Sequence, residues 1–328
     1  MKRTVSVCII LLALLAGLLC GCSGEAHTPG DNGLSILCAT APEYDWTRNI
    51  LGTNPGHLDL QLLVGSGADL HSYQPTAQDI AAISECDLLI YTGGVSGQWI
   101  SNALERAKKS PDSVINLLTS LHDRLEVEEH VDGMEAEAED EHQVEQLDVD
   151  EHVWLSLRNA QIVCADITQA LCTLDPDHAE QYQQNADAYI AQLDALDRDY
   201  CQAIEAAPLD TILVADRFPF RYLVDDYGLN YYAAFAGCSA ETDASFETVI
   251  FLANQLDRLG LPAVLVIDGS NAGIADAVIE NSAVGGQATL LLDSMQSTTS
   301  EQLASGTSYL SVMEANLDTL SQALQPLG

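Results

Sequence analysis

The chain reads as an α/β protein, two lobes of parallel sheet flanked by helices and joined by one long rigid helix. Three observations carry that expectation. Short apolar runs alternate with helical patterns in both halves, the runs close on glycine or aspartate, and between the halves one helical pattern continues for about thirty residues.

In the first half Leu34-Ser35-Ile36-Leu37-Cys38-Ala39-Thr40 is a short apolar strand, and the segment around Tyr44, Asp45 and Trp46 opens a helix. A second strand covers Leu58 to Val64 and turns through Gly65-Ser66-Gly67. A helical pattern with Ile80 and Ile83 follows Thr76, and Asp87 to Thr92 is a buried strand ending in Gly93 and Gly94. Gly93, Gly94 and Gly97 lack the Lys-Ser/Thr ending of a phosphate loop and the spacing of a dinucleotide fingerprint, so they read as a tight turn.

From Pro176 to about Ala206, Tyr182, Ala186, Tyr189, Ile190, Leu193, Leu196, Tyr200 and Ile204 recur at helical steps, with Asp175 as the cap and Pro176 in the first turn. At about 1.5 Å per residue, thirty residues span about 45 Å, which suits a strut between lobes. The expected division is an N-terminal lobe over 34–174, a linking helix over 175–207 and a C-terminal lobe over 208–328. In the last of these, strands at Thr211–Ala215, Pro262–Ile267 and Ala288–Leu292 alternate with helices at Phe246–Leu259, Ala272–Glu280 and Ser308–Leu324. The strands end at Asp216, Asp268 and Asp293, and open α/β sheets bind ligands beyond the carboxyl ends of their strands.

The N-terminus starts with Lys2 and Arg3, runs apolar from Val5 to Leu19, and closes Leu19-Cys20-Gly21-Cys22. That is an export signal over 1–21 whose end resembles a bacterial lipobox, with Cys22 the position that receives lipid and 22–33 a tether. The mature chain is therefore expected outside the cytoplasm, anchored to a bacterial membrane by its lipid.

Formal charge is −37, and loss of Lys2 and Arg3 makes it −39. Such a chain repels nucleic acid and attracts cations. Part of the charge falls between Glu126 and Glu151, a stretch too poor in bulky apolar residues to bury itself, which reads as a mobile acidic loop within about 122–151. Of nine cysteines, Cys8 and Cys20 leave with the signal and Cys22 is the lipid site. Cys38, Cys86, Cys164, Cys172, Cys201 and Cys238 have no tight spacing and read as free thiols. Without a Cys-x-x-Cys pair, zinc–thiolate ligation is not expected.

Two histidines stand out. His71 lies in Asp69-Leu70-His71-Ser72-Tyr73-Gln74-Pro75-Thr76, and His152 in Asp150-Glu151-His152-Val153-Trp154-Leu155, with His122, His130 and His142 in the acidic stretch between them. Imidazole is the commonest transition-metal ligand, and carboxylates around it concentrate dications. His57 and His178 read as surface residues, and Tyr231, Tyr232 and Trp99 as packing.

Together these segments resemble the metal-binding subunits of bacterial zinc and manganese ABC importers, lipoproteins with two α/β lobes joined by a long helix. The resemblance rests on His-x-Tyr-x-Pro-Thr at His71, acidic-His-Val-Trp at His152, Phe220-Arg221-Tyr222 running to Asp226-Tyr227-Gly228-Leu229, Leu292-Asp293, and Ser308-Tyr309-Leu310-Ser311-Val312-Met313 leading to Asn316-Leu317. It implies His71, His152 and Asp293 as ligands. The third ligand, a His or Glu in the family, falls here on Arg217 or Ala215, so the chain departs from the pattern. Asp216, between them, supplies an oxygen instead, or Arg217 pairs with a ligand carboxylate and leaves three protein donors plus water. The resemblance further implies weak auxiliary capture by His122, His130 and His142, zinc ahead of manganese as transported ion, a permease partner, a monomer and no enzymatic activity. The alternatives are a zinc hydrolase, for which the sequence lacks a His-Glu-x-x-His block, and an adhesin with a structural metal.

Overall fold

The computed structural model describes residues 33–52, 56, 58–68, 70–135, 149–239 and 243–327. The export signal, Cys22, His57 and His142 lie outside the described residues. Strands β1 (Leu34–Cys38), β2 (Leu58–Leu62), β3 (Leu88–Tyr91) and β4 (Val114–Asn116) form a parallel sheet in the order β2-β1-β3-β4. Strands β5 (Thr211–Phe218), β6 (Asn230–Ala236), β7 (Ala263–Val266) and β8 (Ala288–Leu291) form a second, in the order β6-β5-β7-β8. The central β3 and β7 are wholly buried apolar runs, as parallel strands covered on both faces must be.

Helices α1 (Ala41–Leu51), α2 (Ala77–Glu85), α3 (Gln98–Ala107), α4 (Leu117–Ser120) and α5 (Leu157–Leu174) accompany the first sheet. Helices α7 (Arg221–Tyr227), α8 (Phe246–Leu259), α9 (Gly273–Asn281), α10 (Ser300–Ala304) and α11 (Tyr309–Ala323) accompany the second. Between them α6 (Ala179–Ala206) has 28 residues, about 42 Å at ~1.5 Å each. Its α-helical turns start later than the sequence suggests, because Pro176–His178 is a 3-10 turn. Asp175 is the N-cap residue of that turn without a side-chain cap hydrogen bond: its carboxylate accepts from the Tyr182 hydroxyl at 2.5 Å and pairs with His178 Nδ1 at 2.9 Å. Among the described residues no helix is long and apolar enough to cross a membrane.

The buried face of α6, including Tyr182, Tyr189, Leu193 and Tyr200, belongs to one continuous core that holds Ile36 and Ile90 of the first sheet and Ile212 and Leu265 of the second. The lobes also meet directly. Trp46 and Tyr309 pack edge to face at 5.1 Å between ring centroids, and the buried Asp45 carboxylate accepts from the Tyr309 amide at 2.9 Å. The Tyr309 hydroxyl donates to the Trp154 carbonyl at 2.7 Å, and Trp154 Nε1 donates to the Ser294 carbonyl at 2.9 Å.

Of the acidic stretch that its composition marks as a mobile loop, residues 136–148 lie outside the described residues. Residues 126–135 run along the second lobe: the Glu126 amide donates to the Tyr222 hydroxyl at 3.2 Å, the Glu135 amide donates to the Ala234 carbonyl at 2.9 Å, and Val127 bridges Val149. Glu129 accepts from the Tyr231 hydroxyl at 3.2 Å, while Val131 and Met134 pack against the core. Hydrogen bonds to the neighbouring lobe supply what apolar burial within the segment does not.

Glu43, fully buried in the first turn of α1, accepts from the Thr40 amide and the Thr92 hydroxyl, both at 2.9 Å. Burial pushes its carboxyl up to about 8, against the opposing effect of those hydrogen bonds. An unfolded Glu releases its proton near pH ~4.3, so from there to about 8 the native state binds the extra proton and stability falls as pH rises. Glu43→Gln is expected to flatten that decline in urea titrations run between about pH 5 and 8, at about 1.4 kcal/mol per pKa unit removed. An unchanged slope would show that Glu43 does not hold the proton.

Candidate metal centre

His71 is presented by a 3-10 turn, Leu70–Ser72, that cannot merge with the helix after it. Pro75 keeps the residue before it extended, and Thr76 caps α2 reciprocally with Asp79. The Tyr73 hydroxyl donates to the same Asp79 carboxylate at 2.9 Å. The Tyr, Pro and Thr of the first motif thus set the turn that carries the histidine.

His152 is fully buried just before the 3-10 turn Val153–Leu155. Asp150 Oδ1 accepts from both its amide, at 2.8 Å, and its ring Nδ1, at 2.9 Å. Burial pulls the His152 pKa down, but the Asp150, Glu151 and Glu128 carboxylates outweigh it and the net direction is up. Because a carboxylate only accepts, Nδ1 carries the proton in the neutral ring and Nε2 keeps its lone pair.

Nε2 of His152 lies 3.3 Å from Nε2 of His71. The outer nitrogen of His71, Nδ1, contacts the Ser96 hydroxyl at 2.6 Å, and the Ser96 amide donates to Glu151 at 3.0 Å. Glu151 therefore positions Ser96, which positions His71, while its neighbour Asp150 positions His152. Gly94 makes this possible: its φ is +72°, and a Cβ there would fall 2.3 Å from Glu151 Oε1. The turn after β3 is more than a connection, since it places Ser96.

The second lobe contributes Cys238, two residues beyond β6. A ring nitrogen from each histidine and Cys238 Sγ all lie within 4.8 Å of one another. Gly237 allows the approach, because a Cβ there would sit 2.8 Å from the Phe218 carbonyl and 3.2 Å from His152 Cε1. The Cys238 amide donates to Glu128 Oε1 at 2.7 Å. Burial and then the Glu128, Asp150 and Glu151 carboxylates push the thiol pKa up, a balance that a dication on the sulfur would invert. The six cysteines expected as free thiols are free. No Cys-x-x-Cys pair pointed to Cys238, yet the fold sets it beside the two histidines, side chains that the sequence keeps far apart.

Other expected site residues are placed differently. Among the described residues His71, His152 and Cys238 form the one donor group of this kind, and neither Asp216 nor Asp293 belongs to it. Strand β5 runs on to Phe218 with an irregularity between Val214 and Arg217, and Asp216 Oδ1 accepts from the Arg217 amide at 2.8 Å. Asp293 Oδ1 accepts from the Met295 amide at 2.7 Å. Burial, and then the charge of Asp268, push the Asp293 carboxyl up to about 6. Asp268 itself takes hydrogen bonds from the amides and hydroxyls of Ser294 and Ser297. His122 and His130 are exposed and join no such donor group. The sequence did not single out Ser96 or Gly237, and it marked Gly94 only as part of a tight turn and Cys238 only as a free thiol. The one available signal was the run Gly93-Gly94-Val95-Ser96-Gly97 after a buried strand.

Two α/β lobes thus bring two imidazoles and a thiol to one point, a donor set that could hold a metal ion. Residues 36–323 match the family described as zinc-uptake complex component A, periplasmic, and the chain belongs to it. The zinc-binding lipoprotein AdcA of Streptococcus pneumoniae is 28% identical over 322 residues, which are 98% of this chain but 62% of that protein's length. The manganese ABC transporter substrate-binding lipoprotein PsaA of Streptococcus anginosus is 27% identical over 331 residues, covering 99% of each. The crystal structure of the Zn(II)-bound ZnuA-like domain of Streptococcus pneumoniae AdcA superposes with a TM-score of 0.68 at 26% identity, over 89% of this chain and 99% of that one.

Support for His71 through Ser96 is separable from the fold. Ser96→Ala is expected to weaken zinc binding by about 10- to 100-fold, the usual effect of removing a partner of a ligating histidine, with little change in melting temperature. Equal affinities by isothermal titration would remove Ser96 from the centre.

Proposed function

We propose that this protein captures a divalent transition metal, zinc ahead of manganese, between its lobes outside the cytoplasm and delivers it to the permease of an ABC importer. The observation that carries the reading is the pair of Nε2 atoms 3.3 Å apart, each imidazole held from behind through Nδ1. Family membership over residues 36–323 and the zinc and manganese lipoproteins among the relatives support it. A lipid on Cys22 and action as a monomer complete the proposal.

A hydrolytic reading is less well supported. The carboxylates around the pair are already engaged: Asp150 with His152, Glu151 with Ser96, and Glu128 with Cys238, so a general base facing a bound water is not evident among them.

His71→Ala and His152→Ala are each expected to lower zinc affinity by about tenfold or more. Asp216→Ala and Asp293→Ala, which remove carboxylates outside the donor group, should each cost less than either histidine. Equilibrium dialysis of the purified chain with zinc and with manganese checks this ranking. Unchanged uptake in both histidine variants would refute the proposed site, and so would a larger loss from either aspartate.

A further inference from the structure

We propose that Cys238 binds the captured cation as a thiolate and completes, with His71 and His152, a two-nitrogen, one-sulfur centre that favours zinc over manganese. The proposal deepens the metal-capture reading and rests on it.

Geometry is the first support. Zinc bonded to two imidazoles at ~2.05 Å in a tetrahedron separates the nitrogens by about 3.3 Å, and a thiolate at ~2.3 Å lies about 3.6 Å from each. The observed Nε2 separation is 3.3 Å, and the sulfur lies within the same 4.8 Å group. The second support is position. Cys238 follows β6, and β6 pairs with β5 up to Phe218 and Ala236, so the thiol stands at the carboxyl end of the strand beside the one whose own end carries Asp216 and Arg217. Asp216 is turned to the Arg217 amide, and the neighbouring strand delivers a donor to the histidines in its place. The third is confinement. Gly237 packs against both the Phe218 carbonyl and the His152 ring, and Glu128 holds the Cys238 amide, so the backbone that carries the thiol is held beside the histidines.

The chemistry sets the selectivity. Thiolate is a soft donor that suits zinc, whereas manganese favours carboxylate and water oxygen. On binding, the sulfur–metal bond forms as the thiol proton passes to water. Three protein donors leave one position of a tetrahedral ion for water, which suits a cargo that must be released.

Cobalt(II), which takes zinc sites and reports its ligands in its spectrum, is the probe. The purified wild-type chain is expected to bind one cobalt with tetrahedral d–d bands and a near-ultraviolet sulfur-to-cobalt charge-transfer band. Cys238→Ser should lose the charge-transfer band and about tenfold or more in zinc affinity, while manganese affinity stays within about threefold, since a hydroxyl is the harder donor. Stoichiometric cobalt binding without the charge-transfer band overturns the thiolate and leaves metal capture standing, and so does a band that persists in Cys238→Ser. Absence of stoichiometric cobalt and zinc uptake overturns metal capture itself. The wild-type spectrum decides the ligand even if the variant misfolds.

Discussion

Holding two imidazole nitrogens 3.3 Å apart is the constraint on which the rest of the centre depends. Side chains so close keep a productive orientation only if each ring is fixed from behind, and both are. His152 leans on Asp150 through two hydrogen bonds from one residue pair. His71 leans on Ser96, whose amide leans on Glu151. The consecutive residues Asp150, Glu151 and His152 thus organise both halves of the pair, one directly and one through the turn after β3. All three are buried, and burying carboxylates is tolerable here because each is hydrogen-bonded.

That arrangement needs two lobes that keep their distance. Helix α6 and the contacts of Trp46, Trp154 and Tyr309 merge the lobes into one core, so side chains from opposite sheets meet within a few ångströms. A close-packed core transmits small displacements instead of absorbing them. The contact from Trp154 to Ser294 begins two residues beyond His152 and ends beside Asp293, so the second lobe's last strand end is tied to the first lobe's histidine motif. The docked segment 126–135 adds a further tie through Glu128, which reaches Cys238.

Much of this was legible from residue order. Strand and helix alternation, the long amphipathic helix and the two histidine motifs follow from short-range rules: buried parallel strands must be apolar, and Thr76 with Asp79 marks a helix start wherever it occurs. Pro176 marked the approach to α6 but gave its start only to within a turn, since a 3-10 turn satisfies the same local pattern. Composition measures only the apolar area a segment offers, so it did not show that residues 126–135 are held by hydrogen bonds to another part of the chain.

The residue order alone determined the α/β class, the membership of His71 and His152 in distinct motifs, and the absence of a third histidine or glutamate near Phe220-Arg221-Tyr222, because each is a property of neighbours along the chain. Only the tertiary structure decided which donors converge. Asp216 lay at an expected strand end, but β5 continues past it and its carboxylate turns to its own neighbour's amide. Cys238 lay in no motif, yet parallel pairing of β6 with β5 and the missing side chain of Gly237 bring its sulfur to the histidines. Convergence of that kind depends on strand register and on the space glycine leaves, and neither is encoded in the spacing of ligand residues.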